Sequence, residues 1–140
     1  MTQTAPSGPR DDMYSETLLD HFRMPRNVGM MRSPDAVGES EDPTCGDLAR
    51  FYLRIEGDLV REARFQTYGC GPSIAASSIA TELVHGRPVA ALGELTPEAV
   101  EKALGGLPED RRHAATMVVE ALRVALRHYR TGQSRETSHV

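Results

Sequence analysis

An α+β domain is predicted by three features of this 140-residue chain. Residues 48 to 56, LARFYLRIE, alternate between apolar and polar side chains as a half-buried strand does. LVREARFQTY, after the Gly57-Asp58 turn, begins a return strand, so the pair forms a β-hairpin. On either side lie stretches with helical spacing, YSETLLDHF before the hairpin and EDRRHAATMVVEALRVALRHYR near the C-terminus. A chain of this length is about one domain and buries roughly two thirds of the surface its unfolded form exposes.

Taken in chain order, residues 1 to 12 and 131 to 140 are polar and without an apolar face, which predicts loose tails. In YSETLLDHF, Tyr14, Leu18, Leu19 and Phe22 share one helical face, Pro25 ends the helix, and Asn27-Val28-Gly29 turns the chain. In the first strand Ala49, Phe51, Leu53 and Ile55 face one side, and Arg50, Arg54 and Glu56 the other. The return strand turns Ala63 and Phe65 to the buried side. SIAASSIATELVHG is then helical, with Pro72 suited to its first position and Gly86 to its end. The last helix carries a stripe of Ala115, Val118, Val119, Leu122, Ala125, Leu126 and Tyr129. There is no internal repeat or low-complexity tract.

Charge narrows the partners. The net charge is −4, and 15 arginines with a single lysine, Lys102, are scattered among 20 acids without forming a basic stripe, so nucleic acid is not an expected partner. No apolar run approaches the roughly 18 to 20 residues a membrane span needs, and MTQTAPSGPRDD has no signal-peptide segment. A cytoplasmic location is expected. In that reducing compartment the two cysteines are expected as free thiols, ligands or sulfur carriers, with a disulfide left open by sequence alone.

Cys70 sits in TYGCGPSIAAS, between two glycines and just before a helix N-terminus. There the unpaired amides and the helix dipole favour thiolate, and the flanking glycines leave room for a metal or reagent. A small buried residue in a tight strand-to-helix turn is the alternative. Cys45 and Asp47, in EDPTCGDLARF, are two residues apart, so in an extended stretch both side chains point to one side and could grip one ion; an ordinary turn into a strand fits the same tripeptide. The cysteines are 25 positions apart and form no CxxC pair, which excludes a generic zinc ribbon. His113 falls nearly opposite the centre of the last helix's apolar stripe, outside the core, as a ligand or as a solvated first-turn histidine. His21, His85, His128 and His139 are expected as solvated surface residues.

The order YSETLLDHFRMPRNVG, DPTCGDLARFYLRI, ARFQTYGCGPSIAASSIATELVHG and LPEDRRHAATMVVEAL resembles the iron–sulfur cluster assembly scaffolds of the IscU/NifU N-terminal type, over about residues 13 to 130. The resemblance implies a three-stranded antiparallel sheet with helices packed on one face, the third strand lying in or near residues 34 to 42. It also implies a scaffold or carrier and no enzyme. Cys45, Asp47, Cys70 and His113 would bind iron and a transient [2Fe–2S] cluster, or zinc in the isolated protein. The family's third cysteine directly follows that histidine, and here the position is Ala114, expected beside the site at a partly exposed helix start. The implied partners are a cysteine desulfurase and apo iron–sulfur proteins, with the chain a monomer or dimer. LPEDR, Leu107 to Arg111, keeps only the Leu-Pro of the family's LPPVK segment, which an Hsp70-type chaperone recognises. A zinc-bound sulfur-transfer partner of a desulfurase, or an interaction module without cluster chemistry, are the alternatives.

Overall fold

The computed structural model describes residues 14–43 and 46–138, the side chains of 133–138 excepted. Its elements in order are α1 (Glu16–Arg23), β1 (Ala36–Glu41), β2 (Leu48–Glu56), β3 (Leu59–Tyr68), α2 (Gly71–Val84), α3 (Ala91–Glu94), α4 (Pro97–Ala103), a 3₁₀ turn (Glu109–Arg111) and α5 (His113–Ser138). The strands form one antiparallel sheet in the order β1-β2-β3. The third strand expected near residues 34 to 42 is β1. Among the described residues no helix is long and apolar enough to cross a membrane.

The hairpin turns on two residues, Gly57 (φ 58°) and Asp58 (φ 62°), both left-handed. Positive φ at both central positions suits the right-handed twist of the flanking strands, and an aspartate tolerates that conformation. Glu56 pairs with Leu59, and a bulge between Arg54 and Ile55 lets Arg61 pass unpaired. The extra residue puts Val60 on the same buried face as Ala63 and Phe65. Phe51 and Phe65 lie directly opposite each other, both buried, with ring centroids 6.2 Å apart. Burying each ring contributes about 2 to 3 kcal/mol.

One face of the sheet carries Ala36, Ala49, Phe51, Leu53, Ala63 and Phe65 into the core against α2 and α5. The opposite face carries Arg50, Arg54, Glu62 and Arg64, with ion pairs Arg50–Glu39 and Arg64–Glu62 along it. α5 lies on β1 so closely that a Cβ on Gly38 would fall 2.1 Å from the Ala121 carbonyl oxygen and 2.3 Å from the Ala125 nitrogen. His128 also receives a hydrogen bond from the Val37 amide at 3.0 Å. The helix continues to Ser138, across residues that composition alone assigns to a tail. Once a helix is running, each further residue adds a backbone bond without the cost of a new nucleus.

α1 is capped by Ser15, whose oxygen accepts from Leu18 N, and the Ser15 hydroxyl also bonds to the Leu104 carbonyl. Its buried residues are Leu18 and His21, one turn apart, with Leu19 half-buried. The surface placement expected for His21 is therefore corrected. The apolar face turns toward α2, and Nδ1 meets the buried Ser78 hydroxyl at 2.7 Å while Nε2 lies 3.5 Å from Glu82. His85 and His128 are exposed as expected, and His139 lies outside the described residues.

Two consequences are measurable. Gly38→Ala would drive a methyl group into helix backbone, which cannot rotate away, and should cost about 3 kcal/mol in urea unfolding. An unchanged midpoint would show that α5 does not need the close approach. Burial, aided by the charge of Arg26 and opposed by Glu82 and Asp20, holds His21 below its ordinary value of 6.5. The unfolded chain then binds the extra proton, so the His21 contribution is complete above about pH 6.5 and is lost as pH falls below it. The melting temperature should drop between about pH 7.5 and about pH 5.5, and His21→Gln should flatten that drop. Equal drops in both proteins would exonerate His21.

Candidate functional site

Strand register brings three segments to one end of the domain. Leu48 pairs with both Glu41 and Tyr68, so the loop entering β2 and the exit from β3 emerge side by side. Val37 meets His128 while Gly38 meets Ala121 and Ala125, so α5 runs antiparallel to β1 and begins at this same end. Asp47, Cys70 and His113 thus converge from three elements distant in sequence.

Asp47 is buried, and one of its oxygens, Oδ2, is the meeting point. It accepts from the Ser73 hydroxyl at 2.9 Å and from the Cys70 amide at 3.5 Å, and it lies 3.6 Å from Cys70 Sγ and 3.9 Å from His113 Nε2. The loop behind it is closed by the Asp42 amide on the Asp47 carbonyl at 2.8 Å and the Gly46 amide on the Asp42 carbonyl at 2.7 Å. Gly46 takes φ 77°, the left-handed conformation glycine adopts freely. Gly69 has a spatial role instead: a Cβ there would fall 2.5 Å from Asp47 Cγ. The carboxylate can reach the sulfur only because that position carries no side chain.

Cys70 is the N-cap residue of α2, with Pro72 in the first turn; it is partly exposed, and among the described residues it forms no disulfide. Its carbonyl accepts from the Ser73 and Ile74 amides, each at 3.1 Å. Sγ also lies 3.3 Å from the Ser73 hydroxyl. The expected helix-start placement is what the structure contains, and complete burial of Cys70 is not.

His113 opens α5 with its side chain 25% exposed, turned away from the apolar stripe as its phase predicts. Nε2 itself is buried, has no hydrogen-bond partner among the described residues, and sits 3.8 Å from Asp42 Oδ2 as well as 3.9 Å from Asp47 Oδ2. A shallow cleft of about 290 Å³ between α4 and α5, lined by Glu98, Glu101, Arg112 and His113 among others, flanks the ring. Ala114 is 0% exposed, which corrects the partly exposed start expected there. Successive helical residues point about 100° apart, so the step after an outward His113 turns into the core. Arg111 stands near Cys70; burial opposes its charge, but its hydrogen bond with Tyr14 and the charges of Cys70 and Asp110 hold it above its ordinary value.

Asp47, Cys70 and His113 each offer one ligand atom within 4.8 Å of the other two. A tetrahedral ion about 2.3 Å from sulfur and about 2.1 Å from oxygen sets those atoms about 3.6 Å apart, the separation found between Cys70 and Asp47. The same construction asks for about 3.4 Å between oxygen and imidazole nitrogen, about 0.5 Å less than the separation found between Asp47 and His113. The three residues fit such an ion. Cys45, two residues before Asp47, lies outside the described residues.

Sequence reasoning missed two residues here. Asp42 lies three positions before Cys45, and its proximity to His113 depends on where the fold brings the last helix, which the local pattern does not carry. Ser73 stands in a stretch read only as helical, although its position three after Cys70, one turn on, is a signal for contact with the cap.

A model of the NifU-like N terminal domain matches residues 13–136. The chain is 41% identical over 117 residues to "Iron-sulfur cluster assembly scaffold protein IscU 1" of Archaeoglobus fulgidus, covering 84% of this chain and 76% of that one. It is 40% identical over 124 residues to the IscU scaffold protein of Aquifex aeolicus, covering 87% and 79%. The crystal structure of a nitrogen-fixing NifU-like protein (N-terminal) from Brucella abortus shares the fold at TM-score 0.69, with 20% identity over 86% of this chain and 96% of that one. A family match over nearly the whole chain, together with relatives about 40% identical over most of it, makes this chain a member of the NifU-like N-terminal domain family.

Proposed function

We propose that this chain is a scaffold on which an iron–sulfur cluster is built and from which it passes to apo proteins. The observation that carries the proposal is the convergence of one ligand atom each from Asp47, Cys70 and His113 within 4.8 Å of one another at one end of the domain. Cys45, close behind Asp47 in sequence, supplies the second thiolate on this reading. A cysteine desulfurase would deliver the sulfur. Ala114 carries no thiol, so the third family cysteine plays no part, and any persulfide is received at Cys45 or Cys70 or the cluster is built from free sulfide.

Two thiolates, a carboxylate and an imidazole form a mixed set of soft and hard donors, and mixed cysteine and histidine ligation of an iron–sulfur centre is chemically established. Asp47 is the hard donor for a soft cargo and hence the weakest link, which suits a protein that must let its cargo go. A single zinc ion is the second reading, favoured by the tetrahedral separation between Cys70 and Asp47.

Anaerobic reconstitution with ferrous iron and sulfide, beside a parallel zinc titration, tests both. The unmodified chain should take up iron and sulfide together and develop visible charge-transfer bands, and Cys70→Ala should not. Asp47→Ala should keep the cluster and lose it several-fold more slowly to a chelator. Zinc uptake without any cluster would replace the first reading by the second. A folded Asp47→Ala protein that takes up neither iron nor zinc would make the aspartate an essential ligand and end its role in release.

A further inference from the structure

Ser73 is 0% exposed, yet it is not a passive filler. Its hydroxyl donates to Asp47 Oδ2 at 2.9 Å and lies 3.3 Å from Cys70 Sγ. The oxygen it bonds is the same one that faces both Cys70 Sγ and His113 Nε2. With no exposed surface, the hydroxyl has little competition from solvent. Its one hydrogen therefore has two places to go, the carboxylate or the sulfur.

We infer that Ser73 is a positioning residue that sets how readily the cluster is released, acting through Asp47. This rests on the cluster reading proposed above. A carboxylate oxygen that already accepts a hydrogen bond has less electron density to give a metal, so the Ser73 hydroxyl weakens Asp47 as a ligand while holding it at the sulfur. The backbone beneath it is held as well: the Ser77 hydroxyl bonds to the Ser73 carbonyl at 2.9 Å and meets Thr67 Oγ1 at 2.6 Å. The hydroxyl is thus fixed relative to both ligands, and its geometry follows from the helix start.

The test is the rate of cluster loss from reconstituted protein to a chelator, followed by visible absorption and circular dichroism. Ser73→Ala removes the donor without harm to helix propensity. It should slow the loss about fivefold, the scale of one net hydrogen bond, and shift the visible dichroism through the altered carboxylate. In an Asp47→Ala background the same substitution should change nothing. Ser78→Ala, equally buried on the same helix with its hydroxyl bonded to His21 and the Arg26 amide, should leave the rate as it is. An unchanged rate in Ser73→Ala overturns the assignment, as does equal slowing by Ser78→Ala or an effect that persists without Asp47. If the unmodified protein takes up no cluster, the cluster reading fails and the role of Ser73 in release fails with it. If uptake is normal and only the Ser73 effects are missing, the cluster reading stands and this inference alone is lost.

Discussion

The contact between α5 and β1 at Gly38 governs this fold. Backbone meets backbone there, with space for a hydrogen and nothing larger. His113 lies eight residues from Ala121, or about 12 Å along the helix axis. A tilt of about 10° at the contact would move the imidazole by about 2 Å, more than the closure a bound ion requires. The histidine is held in place by a glycine on another element, and the hydrogen bond between Val37 and His128 steadies the helix on the far side of that contact. Stability and site geometry thus share one cause, the depth to which α5 sinks onto the sheet.

At the other end of the lever the site is organised around a carboxylate. Asp47 is buried and leaves water for an environment of one hydroxyl, one amide, one thiol and an imidazole. Burying a carboxylate is costly unless donors replace its hydration. Ser73 and the Cys70 amide supply donors, and the start of α2 adds the positive end of its dipole. The missing side chain at Gly69 allows the approach. These features explain the spacing of the strand-to-helix turn better than access for a reagent does. The glycine before the cysteine makes room for an aspartate that comes from a different strand.

The hairpin and α5 were legible because their periodicities are clean, alternation in LARFYLRIE and a seven-residue apolar stripe in the last helix, and α2 was legible from its end signals, Pro72 and Gly86. β1 was not legible in its own residues. AVGESE has three polar residues and a glycine, and it is a strand because β2 pairs with it and α5 covers Gly38. His21 was misplaced because a polar residue among apolar ones was given to solvent, when only a partner on another helix, Ser78, decides the matter. Val60 is buried through a bulge that no alternation pattern encodes. The pair Cys70 and His113 was legible from cap position and helical phase. Their convergence with Asp47 was legible only through resemblance, since register decides which loop ends meet, and register is a property of the folded sheet.

Ala114 ties the fold to the chemistry. Its side chain is fully buried one step after an outward-facing histidine, so the helix start offers the site one donor and the core one methyl group. The carboxylates Asp42 and Asp47 both stand within 4 Å of the imidazole, and the sulfur of Cys70 lies 3.6 Å from Asp47 Oδ2. On the cluster reading the described donors are therefore harder than a set with a thiol at position 114 would be. Harder donors hold soft, sulfide-bridged iron less firmly and suit a single divalent ion better. The Ser73 hydroxyl shifts the balance further in that direction by occupying a lone pair of the one carboxylate oxygen that faces both the sulfur and the imidazole. On that reading a site assembled in this way would hold its cargo briefly, its affinity limited by the placement of a hydroxyl and a glycine as much as by the count of its thiols.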